Sequence, residues 1–360
     1  MKIQQLKLQD FMIFQKAEIK FSPNINIICG ENSTGKTALI KLLYSCVKSQ
    51  EVLKNSKSDI TKEKFEDALV AKLQGVFRPD KYSVGRLVYR KQGSGRAKIN
   101  VRFDKNAQLE IGFGNRQEKH IDVIVNELPP IAASAVYIPP KEIISTTENF
   151  VSLYADYHIA FEETYYDLAR LLERPLKKGP NTQEQNAVLR SFEKILNGNI
   201  IQKDKAFYLQ VKGAGEFEMG LVSEGYRKLA TIMYLVQSGS LSKNAILFWD
   251  EPETNMNPKM IQPMVEAIIE LAKLGVQVFI TTHDYFIQQC FNLAARYPEK
   301  DSSDLKFSFT SLYRSLTGVE IETASRLTDL THNAIMEEFD QLYDSCLLYT
   351  SPSPRDAHES

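Results

Sequence analysis

One short stretch near the N-terminus constrains this chain more than any other. Gly30-Glu31-Asn32-Ser33-Thr34-Gly35-Lys36-Thr37 fits G-x-x-x-x-G-K-[ST] and follows the apolar run Ile25-Asn26-Ile27-Ile28-Cys29. Glycines in such a loop let backbone N–H groups turn inward and wrap phosphate oxygens, and the helix that follows adds its positive N-terminal end. The arrangement needs a buried strand before it and a helix after it, which makes the chain an α/β protein built on a sheet. Leu39, Ile40, Leu43 and Val47 share one face, so a helix is expected from Thr37 to about Ser49. On this reading Gly30, Glu31, Asn32, Ser33, Thr34, Gly35, Lys36 and Thr37 form a nucleotide-phosphate site. Lys36 reaches the β- and γ-phosphates and shares in catalysis, and Thr37 offers its hydroxyl to Mg²⁺.

The second half of such a site is Ala245-Ile246-Leu247-Phe248-Trp249-Asp250-Glu251-Pro252. An apolar strand here delivers two carboxylates at its C-terminal end, where open α/β sheets bind ligands. Asp250 is expected to hold Mg²⁺ through water, and Glu251 to orient or deprotonate the attacking water. A third strand, Val276 to Thr281, runs into Thr282-His283-Asp284, which places His283 to reach the γ-phosphate. Ser223 and Gly225 sit where another helix begins, with Leu229, Ile232, Met233 and Val236 as its apolar face. That helix start reads either as a second anion site or as an ordinary serine N-cap.

Elsewhere the pattern is coarser. Residues 1–29 read as strands and 50–81 as a charged helical stretch. Residues 82–113 read as an antiparallel meander of Leu87-Val88-Tyr89, Ile99 to Phe103 and Leu109 to Phe113. A strand Ala135-Val136-Tyr137-Ile138 runs into Pro139-Pro140, residues 147–197 are mostly helical with a break at 177–181, and Phe207 to Val211 returns to strand. No internal repeat and no sustained heptads appear, so no long coiled-coil arm is expected. Between Lys72 and Lys98, eight basic residues face one acid, Asp80, which suits either a nucleic-acid stripe or a solvated meander face.

Bulk properties narrow the class. The net charge of −1 excludes coating nucleic acid by bulk charge, though not a local basic patch. Cys29, Cys46, Cys290 and Cys346 show no CxxC or metal-ligand spacing, and Cys29 and Cys46, in apolar runs, fit buried thiols in a reducing compartment. The N-terminus lacks a signal-peptide core, and no apolar run approaches the ~20 residues of a membrane span. A cytoplasmic protein without a membrane partner is expected. Cys346 to Asp356, CLLYTSPSPRD, resembles the one-frame translation of a transposase adapter used in sequencing libraries. Residues 346–360 are therefore read as a non-native tail, with a disordered Ser/Pro tail as the alternative.

Taken together, the motifs resemble the ABC-type ATPase heads. That group includes transporter nucleotide-binding domains, the RecF and structural-maintenance-of-chromosomes (SMC) ATPases, and the overcoming-lysogenization-defect (OLD) family. Residues 1–50 and 220–285 carry the resemblance. It implies a Walker A motif at 30–37, a Walker B at 246–251, a signature motif at 222–226, a D-loop near 253–258 and an H-switch at His283. The signature departs from LSGGQ, with Glu224 for the first glycine and Tyr226 for the glutamine, which points away from transporters and toward prokaryotic AAA-family ATPases of defence or repair systems. Residues 312–343 resemble the C-terminal part of such proteins. These heads complete the Mg²⁺ shell with a glutamine from the first lobe. Here the stretch 137–142 falls in that place without one, leaving Lys141 and Glu142 as candidates.

The implied fold is an α/β P-loop NTPase head spanning 1–345, with a mixed sheet. It carries an antiparallel β lobe at 82–140, a helical insertion at about 147–200 and a Walker B and H-switch lobe at 220–345. The implied function is Mg²⁺-dependent ATP hydrolysis driving an ATP-gated homodimer with shared sites, acting on DNA or with a nuclease in repair or phage defence. The alternative is a nucleotide-gated scaffold that holds a toxin or effector with little turnover.

Overall fold

A computed structural model describes residues 1–55, 61–129, 133–157, 159–316 and 318–350. Strands β1 (Ile3–Phe11) and β2 (Phe14–Lys20) form an antiparallel hairpin in which buried Leu6 and Leu8 pair with Ile19 and Ala17. Strand β3 (Ile25–Gly30) is buried throughout and feeds α1 (Lys36–Asn55). Helix α2 (Lys62–Phe77) follows, and then β4 (Arg96–Phe103), β5 (Gln108–Gly114) and β6 (Asp122–Asn126). Strand β7 (Ala135–Ile138) precedes three short helices, α3 (Phe150–Tyr157), α4 (Glu163–Leu172) and α5 (Gln183–Leu196). Next comes a small antiparallel sheet of β8 (Gly198–Lys203), β9 (Ala206–Val211) and β10 (Gly215–Glu218). The remainder alternates: α6 (Glu224–Gln237), β11 (Ile246–Asp250), α7 (Pro258–Lys273), β12 (Gln277–Thr282), α8 (Tyr285–Arg296). The hairpin β13 (Phe307–Ser315) and β14 (Gly318–Ala324) and helix α9 (Ala334–Thr350) close the described chain.

Among the described residues the main sheet has the order β14-β13-β3-β12-β11-β7, parallel from β13 to β7 with β14 antiparallel at one edge. Both faces are covered, as parallel sheets require. The two-residue period of a strand divides the core between them. On β11, Ile246 and Phe248 pack with α1 and the antiparallel sheet, while Leu247 and Trp249 pack with α5 to α8. The result is a three-layer head whose parallel strands all end along one edge, where Gly30, Asp250 and Thr282 come together.

The antiparallel sheet runs β2-β1-β4-β5-β6, so it takes strands from the N-terminus as well as from the 82–140 segment. Leu87-Val88-Tyr89 is not a strand. A 3-10 turn covers Val84–Leu87, and only an isolated bridge joins Val88 to Phe11. β1 already pairs with β2 and β4 on its two sides, which leaves the segment only the end of the β1–β2 hairpin.

The helical insertion is bolted to the head by buried polar groups. Lys72 on α2 ion-pairs with Glu163 at 2.6 Å and Asp167 at 2.8 Å, both on α4, and Asp167 also accepts the Tyr44 hydroxyl of α1 at 2.6 Å. Helix α9 runs across the Ser345–Cys346 boundary at which the non-native tail is expected to start, and residues 351–360 lie outside the described residues. Among the described residues no helix is long and apolar enough to cross a membrane.

Candidate functional site

The glycine loop is closed to side chains where its glycines stand. Gly30 has φ +145° and Gly35 φ +93°. A Cβ at Gly30 would lie 2.2 Å from the Leu312 carbonyl oxygen of β13, and one at Gly35 would lie 2.6 Å from Phe14. Glu31, Asn32 and Ser33 are exposed at the loop tip, and the buried Thr34 hydroxyl donates to the Glu31 carbonyl at 2.8 Å. The Lys36 ammonium, 5% exposed, donates to the Gly30 and Glu31 carbonyls at 2.7 and 2.8 Å. Burial lowers its pKa from the ordinary lysine value, and the Glu251 carboxylate is the largest opposing influence.

Across the sheet edge, buried Asp250 is the last residue of β11. Its Oδ1 accepts hydroxyls from Thr37, at 3.0 Å, and from Thr281, and its Oδ2 accepts the Tyr137 hydroxyl at 3.0 Å. Burial raises its pKa above the usual carboxylate value, with the three hydroxyls working against the rise. Glu251 leaves the strand with φ +46°, a conformation unusual for glutamate, held by its N–H on the Thr281 carbonyl at 3.1 Å. The turn swings its carboxylate toward His283, Oε1 to Nδ1 at 3.2 Å. Glu253 braces the histidine loop, its Oε1 accepting the Thr282 hydroxyl at 2.7 Å and the His283 N–H at 3.2 Å. Burial raises the Glu253 pKa as well. Buried Lys228 of α6 donates to the Thr254 carbonyl at 2.6 Å, which ties that helix to the turn after the carboxylates.

The fold thus gathers Lys36, Thr37, Asp250, Glu251 and His283 at one edge. Thr37 and Asp250 are hard oxygen donors in mutual contact, with few protein ligands around them. That set suits Mg²⁺, which keeps much of its water and takes one or two protein oxygens. Among the described residues no hydrogen bond or ion pair links Ser223 or Gly225 to that group. Ser223 stands at the N-cap of α6, exposed, without a side-chain capping bond, and Gly225 is buried against Met256. Glu142 is committed to Arg227 of α6 at 2.6 Å, and Lys141 is exposed. Besides Thr37, the side chain that reaches Asp250 from the first half of the chain, among the described residues, is Tyr137. Sequence reasoning missed Tyr137, Thr281 and Lys228 as site residues and had Glu253 only as the start of an implied D-loop. Only Thr281 carries a signal, as a hydroxyl at the end of an apolar strand.

Residues 51–287, more than half of the chain, match the profile of the family described as "AAA domain, putative AbiEii toxin, Type IV TA system". The chain belongs to this family. It is a P-loop ATPase-family protein of the RecF, SMC and OLD type. A stretch of 44 residues is 52% identical to the DNA replication and repair protein RecF of Chlamydia abortus, covering 12% of each chain. A stretch of 114 residues is 32% identical to RecF of Listeria monocytogenes serotype 4b, covering 31% of this chain and 30% of that one. The match thus spans less than a third of the length of either relative. An SMC head solved with the C-winged helix domain of ScpA superposes with a TM-score of 0.54 at 12% identity, over 91% of this chain and 99% of that one. A second SMC head, from Pyrococcus furiosus, gives 0.51 at 10% identity, over 96% and 99%. These structures establish the P-loop NTPase fold of this family member.

Proposed function

We propose that this chain binds ATP with Mg²⁺ and hydrolyses it within a homodimer whose two sites are each completed by the partner. The supporting observation is Ser223. The N-cap side chains of α2, α5, α7 and α8 all accept a capping hydrogen bond, whereas the Ser223 hydroxyl makes none and faces solvent at a helix N-terminus. A helix N-terminus with a free serine hydroxyl and no bond to its own glycine loop among the described residues is suited to a phosphate bound by another chain. A two-fold axis makes the same surface serve both sides.

Within each site, the loop N–H groups of 30–37 and the Lys36 ammonium hold the phosphates. Thr37 and Asp250 hold the metal, which when bound neutralises charge on the phosphate oxygens. Glu251 orients a water on the γ-phosphorus and takes its proton as the bond to the β-phosphate oxygen breaks, releasing ADP and phosphate. His283 fixes the Glu251 carboxylate and lies within reach of the γ-phosphate. A cytoplasmic place of action fits the free cysteines Cys29, Cys46 and Cys290. A nuclease or an effector is the protein partner this gated dimer would serve.

Subunit mixing tests the shared site. Lys36→Ala and Ser223→Arg chains should each be inactive alone. Mixed one to one, half of the dimers carry one whole site, so ATPase activity should recover to about a quarter of wild type. Background activity at every ratio, after subunit exchange is confirmed, would sink the shared site. Full activity in Ser223→Arg alone would reduce that serine to a simple N-cap.

A second reading, action on DNA, draws on the outer face of the antiparallel sheet. Register places Lys16, Gln9 and Lys98 in one row and Lys20, Gln5 and Arg102 in another. Lys16, Lys20, Lys98 and Arg102 are exposed and make no ion pair among the described residues. A phosphate backbone lying across these rows would be held by charge. Lys98→Glu with Arg102→Glu should weaken binding of a short DNA duplex by about tenfold and flatten its salt dependence. Unchanged anisotropy titrations at two salt concentrations would remove this surface from the reading.

A further inference from the structure

We propose that Tyr137 is the positioning residue of Asp250: its hydroxyl occupies Oδ2 and so turns Oδ1 to the Thr37 side, where the metal is held. The inference rests on the reading of Thr37 and Asp250 as the metal ligands.

A carboxylate has two oxygens and only accepts hydrogen bonds when ionised, so the phenol is the donor in this pair. Oδ1 is held twice, by Thr37 and Thr281, whereas among the described residues Oδ2 has Tyr137 alone, at 3.0 Å. Asp250 is 2% exposed, which leaves little access for water to replace a lost donor. Tyr137 thus sets the rotation of the carboxylate plane, and deleting its hydroxyl strands a buried oxygen.

The phenol is itself held in place. Its strand, β7, lies parallel beside β11 with Tyr137 opposite Phe248, and its ring is buried with its centroid 5.3 Å from that of Tyr44. Tyr44 packs edge-on to Phe248 and donates to Asp167, which is ion-paired with Lys72. Strand register and the buried ring contact with Tyr44 therefore fix where the Tyr137 oxygen stands. None of these groups belongs to the glycine loop, and among the described residues the hydroxyl of Tyr137 meets the site at Asp250.

The test uses the full chain and reads binding, not turnover. Fluorescence of an N-methylanthraniloyl-ADP probe is titrated with and without Mg²⁺. Tyr137→Phe should raise the Mg²⁺ midpoint about tenfold, equivalent to about 1.4 kcal/mol, and leave the Mg²⁺-free affinity within about twofold. A hydrogen bond to a charged group is typically worth about that or somewhat more. Tyr44→Phe makes the same deletion in the neighbouring buried ring and removes the bond to Asp167. It should lower the melting temperature and keep the wild-type Mg²⁺ midpoint. Phe retains the ring and its packing in both variants, and melting curves confirm that each is folded. A wild-type midpoint in Tyr137→Phe, or equal shifts in both variants, would overturn the proposal. If the wild-type protein binds no probe at all, the nucleotide reading itself fails, an outcome distinct from either of these.

Discussion

Lys36→Ala should bind a fluorescent ATP analogue at least about a hundredfold more weakly than wild type. Among the described residues the lysine is the one ammonium that folds over the glycine loop, donating to the Gly30 and Glu31 carbonyls. Each hydrogen bond from a charged donor is worth about 1.5–3 kcal/mol, and phosphate oxygens compete for the same donors. The loop backbone does not depend on it, because Gly30 and Gly35 are shaped by close contacts with Leu312 and Phe14. Burial already lowers the pKa of this ammonium, so the charge is no asset to the nucleotide-free fold. The variant should accordingly melt within a few degrees of wild type while losing nucleotide. Wild-type affinity in equilibrium titration would remove Lys36 from the site.

Glu251→Gln should separate binding from turnover. The substitution keeps the size and the hydrogen bond toward His283, and removes the proposed base. Asp250, Thr37 and Lys36 are untouched, so ATP affinity should stay within about threefold. Positioned general bases contribute about 10²- to 10⁴-fold, and kcat should fall by at least the lower figure. A parallel loss of affinity would mean that Glu251 is a ligand, with its role and that of Asp250 exchanged. The wild-type rate used as reference also decides between the two modes of action. Sustained turnover, stimulated by DNA, suits a switching ATPase. Negligible wild-type turnover with ATP-dependent partner binding suits a gated scaffold for a toxin or effector instead.

What the sequence by itself determined about this protein is what short segments dictate. The glycine loop was legible because its glycines and the apolar run before them leave few alternatives for the backbone. Strand β7 was legible over Ala135–Ile138, and β11 and β12 to within a residue, because continuous apolar runs of that length suit a doubly covered sheet. The P-loop fold and the family type followed from those segments. The tertiary structure decided everything that depends on which strand lies beside which. Leu87-Val88-Tyr89 has strand composition, yet it forms no strand because β1 has no free side. Lys141 and Glu142 follow β7 as expected, yet Glu142 turns to Arg227. Tyr137 reads in sequence as one more core aromatic, and becomes a partner of Asp250, 113 residues away, only because β7 lies next to β11. Thr37 and Asp250 meet across 213 residues for the same kind of reason. Local patterns record backbone preference and burial. The order of strands in a parallel sheet is set by how its crossover helices pack, and no short segment encodes that.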